Sequence, residues 1–170
     1  SNYLTHTEYK YFMFRDFQGR NIMIGASDEV NFIDYQGGMK GAPQYDAASL
    51  LWQARANLPD AWKEKLLIDF IGYFENETGE KVNADLFKKQ YYGFVLIRLL
   101  QVLGAYGFRG LFERKAHFLT SIPLALKNLN EFLNNHNPGI ELPELDKLLQ
   151  ICTSNEIIEQ FTPFQATAET

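Results

Sequence analysis

A chain of 170 residues with 46% hydrophobic side chains has the length to bury one well-formed core. Its formal net charge of −5 and pI near 5.2 argue against a general binder of nucleic acid or of anionic membranes, which needs an excess of base. The single cysteine, Cys152, excludes an internal disulfide, fits a reducing cytoplasm and is expected as a small apolar residue in a helix.

In chain order, residues 1–10 are polar and expected to be irregular, with no basic region and apolar core of the kind that opens a signal peptide. Tyr9 to Arg15 alternates loosely and is rich in aromatics, which suits a short strand. Asn21 to Gly25 and Val30 to Tyr35 read as a hairpin, with Ala26 to Glu29 as its polar turn. Gly37, Gly38, Gly41 and Pro43 then predict a break in regular structure.

Helices are expected from there on. Asp46 opens a run of good helix formers through Arg55. Asp60 to Glu77 carries Trp62, Leu66, Leu67, Phe70, Ile71 and Phe74 at helical spacing, with Asp60 as a cap. Asn83 or Asp85 caps the longest helix, which reaches about Tyr106 and has almost no polar face. Such a helix is expected to be buried all round and to form the central pillar. Arg98 and Gln101 inside it therefore need partners. After Gly104, Gly107 and Gly110, further helices are expected over 113–119, over 124–134 behind Pro123, and as a short pair from Pro143 to Ile158. No run approaches the roughly 18 to 20 uninterrupted apolar residues of a membrane span. His6, His117 and His136 lack metal spacing, no CxxC occurs, and no G-x-S-x-G, G-x-G-x-x-G or GxxxxGK[ST] motif is present.

The informative stretch is Arg15-Asp16-Phe17-Gln18-Gly19-Arg20-Asn21, set between strand-like runs, with Asp34 at the end of the hairpin and YDAASLL following from Tyr45. Asp and Asn also favour turns, so the bland reading makes Asp16, Asn21 and Asp34 turn residues. The chemical reading is phosphoryl transfer, which needs an aligned hydroxyl and cations on the phosphate oxygens rather than covalent help. An Asp at a strand end can accept a hydrogen bond from the attacking hydroxyl. An Asn amide and a second Asp supply the oxygens that a hard cation prefers.

The wording RDFQxRNIM…FIDYQGG…YDAASLL resembles the catalytic segment of the aminoglycoside phosphotransferase and choline kinase group of the protein-kinase-like fold, and within it bacterial small-molecule and amino-sugar kinases. The resemblance spans about Tyr11 to Leu133 and is specific from Asp16 to Asp46. It implies Asp16 as the catalytic residue, Asn21 and Asp34 as Mg2+ ligands, and ATP as co-substrate with a small-molecule acceptor. Arg15, Gln18, Arg20, Asp46 and Arg98 are implied as substrate contacts or loop supports. In that family the residue equivalent to Asp46 bonds the catalytic-loop backbone; the alternative is a simple N-cap. For Arg98 the alternative is a structural ion pair with an acid such as Asp46. Phe14 departs from the pattern, standing where most of these enzymes have histidine.

The fold class expected is mostly α with a small β-hairpin region, an α+β arrangement equivalent to the larger part of a kinase-like C-terminal lobe. Residues 1–10 form the irregular start, 11–160 the lobe, and 161–170 a tail or linker. The resemblance implies that a nucleotide-binding lobe belongs before the motif, so the chain alone is expected to be inactive and to bind a divalent ion only weakly. Its partners are a small-molecule substrate and, through apolar surface left by absent helices, a second copy; nucleic acid and membrane are not expected. The location expected is cytoplasmic. The competing expectation is a non-catalytic regulatory or interaction module, favoured by Phe14.

Overall fold

A computed structural model describes residues 2–7 and 9–162; the tail expected from 161 lies outside that range except for Phe161 and Thr162. The chain is mostly helical with two small antiparallel sheets, an α+β arrangement. It divides into a first compact unit ending at Val95 and a second beginning at Leu96.

The first unit opens with one helical turn, α1 (Asn2–Thr5), where an irregular segment was expected. The segment is anchored just afterwards by Tyr9. Its ring is buried against Phe74 and Phe87, and its hydroxyl donates to the Lys81 carbonyl at 2.9 Å. Strand β1 (Tyr11–Met13) follows, then the hairpin of β2 (Ile22–Ile24) and β3 (Val30–Phe32), paired Ile22 to Phe32 and Ile24 to Val30.

Beyond the hairpin the expected break holds at Gly37 and Gly38, which lie outside regular structure, but not at Gly41, which is in a strand. Strand β4 (Met39–Gly41) pairs antiparallel with β1, setting Met13 opposite Met39 and Tyr11 opposite Gly41. The glycines serve close approach. A Cβ at Gly38 would lie 2.4 Å from the Phe12 ring, and one at Gly41 would lie 2.9 Å from the Met13 thioether. Here glycine lets large side chains lie across the strand; it does not interrupt it.

Helix α2 (Pro43–Leu51) begins at Pro43, a residue suited to a first helical turn because it has no N–H to leave unpaired. Asp46 is therefore inside the helix, and the N-cap position falls to Ala42. Helix α2 packs against β1 and against α3 (Asp60–Thr78). Within α3, Lys63, Leu67 and Ile71 face inward, while Trp62 and Leu66 are exposed. Asp60 is the first helical residue and Pro59 occupies the cap position. The Lys63 ammonium is buried 3.8 Å from the centre of the Trp52 ring, a cation–π contact that suits a charge removed from water. Asn83 caps α4 (Ala84–Gly107) by accepting from the Leu86 N–H at 3.1 Å. Phe87, Tyr91 and Val95 carry that helix through the core of the unit.

In the second unit α4 is not buried all round: Ile97, Gln101, Gly104 and Ala105 are exposed. A π turn (Phe108–Phe112) continues it. Over Ala84–Phe112 the combined helix is long and apolar enough to cross a membrane by length and composition, with 28% of the window buried, although Lys88, Lys89, Arg98, Gln101 and Arg109 interrupt its apolar run. Short helix α5 (Ala116–Leu119) leads to α6 (Ile122–Asn135), which packs against α7 (Pro143–Cys152) and α8 (Asn155–Phe161). Ile122, Leu126 and Ile158 form a core cluster with Leu103, Tyr106 and Leu119 around it.

Candidate active site

Phe14 ends β1 and turns inward, 8% exposed, its ring 5.6 Å from Phe17 and 6.3 Å from Phe32. The apolar packing that supports the following loop thus comes from three phenylalanines, at the place where the resembled family uses histidine. Arg15 then reverses the chain with φ 74, a left-handed conformation that disfavours residues with a Cβ. The local strain is offset by Asp46, whose carboxylate accepts the N–H groups of Phe14 and Arg15, the latter at 2.9 Å. Charge-assisted bonds of this kind are stronger than neutral ones. Asp46 is a loop support and not an N-cap.

Asp16 follows. Gln18 Nε2 donates to Asp16 Oδ1, and Arg20 Nη2 lies 3.4 Å from Asp16 Oδ2. The Arg20 side chain is 70% exposed, so the pair adds little stability but places a cation beside the carboxylate. The loop closes in a single 3-10 turn, Gly19–Asn21, that delivers Asn21 into the protein at 5% exposure.

Asn21 joins the three sequence-predicted positions. Its Nδ2 donates to the Asp16 carbonyl at 2.9 Å and lies 3.4 Å from Asp34 Oδ2. The Asn21 carbonyl accepts from the Ile33 N–H at 3.0 Å, which fixes the hairpin end against the loop. Asp34 comes next with φ 66, the second left-handed non-glycine residue at the site. Nδ2 is thus the end of the Asn21 amide that faces Asp16 and Asp34. The Asn21 amide and the Asp34 carboxylate carry oxygens of the kind that a hard divalent cation such as Mg2+ takes. Among the described residues, no group of three or more His, Cys, Asp or Glu is gathered for a metal.

Two residues at the site, Gln36 and Gln53, carried no sequence signal. Gln36 Nε2 donates to Asp34 Oδ1 at 2.8 Å and orients the second carboxylate. Gln53 Oε1 accepts from the Gly19 N–H at 3.0 Å. Arg15 Nη1 reaches the Gly37 carbonyl at 3.4 Å, tying the loop to the segment after β3. Arg98 lies in the second unit, where its Nη1 donates to Gln101 Oε1 at 3.1 Å, one turn along α4. No protein-family model matches the chain, and no curated protein matches it.

Proposed function

We propose that the chain is the catalytic C-terminal-lobe portion of an ATP-dependent, Mg2+-dependent phosphotransferase of the aminoglycoside phosphotransferase and choline kinase type. The acceptor is the hydroxyl of a small molecule, a sugar or amino sugar on the family resemblance. The observation that carries this reading is the Asn21 amide, bonded to the Asp16 carbonyl and adjacent to the Asp34 carboxylate across sequence separations of 5 and 13 residues. Turn residues with only local duties would not gather in that way.

In the proposed mechanism Asp16 accepts the hydrogen bond of the attacking hydroxyl and aligns its oxygen. Gln18 holds one oxygen of that carboxylate and fixes its plane. Arg20 sits where negative charge on a transferring group would be met by a guanidinium. Asn21 and Asp34 would hold the Mg2+, which when bound neutralises phosphate oxygens. Gln36 and the Asn21 amide keep the Asp34 carboxylate turned toward the loop.

The test uses the full-length natural protein in a thermal-shift screen of nucleotides with magnesium and of free sugars. Stabilisation by MgATP and by at least one sugar is expected. Asp16→Ala should lower turnover by orders of magnitude with little change in nucleotide affinity, because its bond develops with the attacking hydroxyl. Asp34→Ala should abolish magnesium-dependent nucleotide binding. Normal turnover in either variant would overturn the mechanism.

A further inference from the structure

The turn that carries Asn21 has an unmet need at its start. Gly19 is its first residue, and the first N–H of a helical turn has no partner inside it. A side chain at the preceding position usually caps the second or third N–H of a turn rather than this one, and Gln18 makes no such cap; its amide donates to Asp16. The acceptor comes instead from Gln53, whose Oε1 lies 3.0 Å from the Gly19 nitrogen across a separation of 34 residues. The space is matched as well: a Cβ built on Gly19 would stand 3.4 Å from that same oxygen.

Gln53 starts from a fixed backbone. Its N–H reaches the Leu50 carbonyl at 3.4 Å, just past the end of α2. Its neighbour Trp52 is 4% exposed, and the Trp52 indole N–H donates to the Tyr91 hydroxyl at 3.1 Å. Gln53 also follows Asp46 by about two helical turns. The helix and its extension therefore hold the loop at both ends, Asp46 before Asp16 and Gln53 before Asn21.

We propose that Gln53 is a positioning residue of the candidate active site, capping Gly19 from outside the loop and so fixing the turn that aims Asn21 at Asp16 and Asp34. The proposal rests on reading those three residues as the hydroxyl and cation site. The Gly19 bond is exposed, so its loss leaves the fold intact and loosens only the turn.

The test is made on the full chain, isotopically labelled, by amide hydrogen exchange at Gly19, by the side-chain NH2 resonances of Asn21, and by titration with Mn2+. Gln53→Ala should speed Gly19 exchange by about tenfold, shift the Asn21 NH2 resonances and weaken Mn2+ binding severalfold. Gln53→Glu, which keeps an oxygen acceptor at the same reach, should restore all three. Unchanged Asn21 resonances in Gln53→Ala, or an equal loss in Gln53→Glu, would overturn the proposal. If the Gly19 and Asn21 effects appear while Mn2+ finds no site even in the native chain, the positioning role stands and the cation reading falls.

Discussion

Two connections in the first unit both reverse the chain and have opposite construction. The segment from Phe14 to Asn21 and the hairpin turn from Gly25 to Glu29 are both short, polar and rich in turn-forming residues. The hairpin turn closes on itself. The Gly25 N–H reaches the Glu29 carbonyl at 2.9 Å, Asp28 N–H the Gly25 carbonyl at 3.2 Å, and Ser27 N–H the Glu29 carboxylate at 2.9 Å. In the loop the Asn21 N–H closes locally on the Gln18 carbonyl, but those of Phe14, Arg15 and Gly19 go to side chains far away in the sequence, Asp46 and Gln53. A turn satisfied locally serves as a connector, and a turn satisfied from outside is being held in place; left-handed backbone does not separate them, since Asp28 in the hairpin turn has it as well as Arg15 in the loop.

The sharpest way to break the contrast is to remove the remote acceptor. Asp46→Ala leaves the N–H of buried Phe14 and that of left-handed Arg15 without their carboxylate. A hydrogen bond to a charged group is worth about 2 kcal/mol, and because water can replace the acceptor at the exposed Arg15 N–H, a loss of about 2 to 3 kcal/mol rather than the full sum is expected. Denaturant unfolding of the chain measures it; a loss below about 0.5 kcal/mol would mean that Asp46 does not hold the loop.

The same division between remote and local partners extends to the titratable groups. Tyr92 donates to Glu64, 28 residues away, and burial followed by that carboxylate pushes its pKa well above the ordinary 10.0. Glu113 is paired with Lys115 on the surface, which lowers its pKa. A raised tyrosine pKa keeps a proton on the native state that the unfolded chain gives up. Its contribution to stability is therefore complete below pH 10.0 and falls as pH rises beyond it. Melting curves between pH 8 and 11 should show an alkaline decline that is shallower in Tyr92→Phe. Glu113→Gln should leave the acid side unchanged, since an exposed local pair is screened by solvent. An identical alkaline slope in the Tyr92 variant would remove the distinction.

What the sequence disclosed follows the same line. The hairpin was legible because its alternation and polar turn are local signals, and its register agrees with them. Asp16, Asn21 and Asp34 were legible through a resemblance in their spacing. Strand β4 was not, because glycine reads as a breaker, and only the arrival of Phe12 and Met13 from β1 turns it into a site of close approach. Gln53 gave no sign at all: a glutamine after a helix is unremarkable until a loop 34 residues earlier needs an acceptor. The buried face of α3 was misjudged at Trp62, which lies outside while Lys63 is covered by the Trp52 ring. Each miss depends on a partner distant in the chain.

The smallest expected effect is the complement of the first. Glu29→Ala removes the carboxylate that accepts from Ser27 and folds over Gly25. The two backbone bonds that close the hairpin turn survive the change, since both use only main-chain atoms of Gly25, Asp28 and Glu29. The Ser27 N–H is exposed and water replaces the lost acceptor, so the cost should be no more than about 0.5 kcal/mol. Backbone resonances of Asp16, Asn21 and Asp34 should keep their native shifts, because nothing in the turn reaches the loop except through the β2–β3 ladder. Displaced Asn21 resonances in Glu29→Ala would show that the hairpin turn also positions the site, and the division between connector and held loop would then fail.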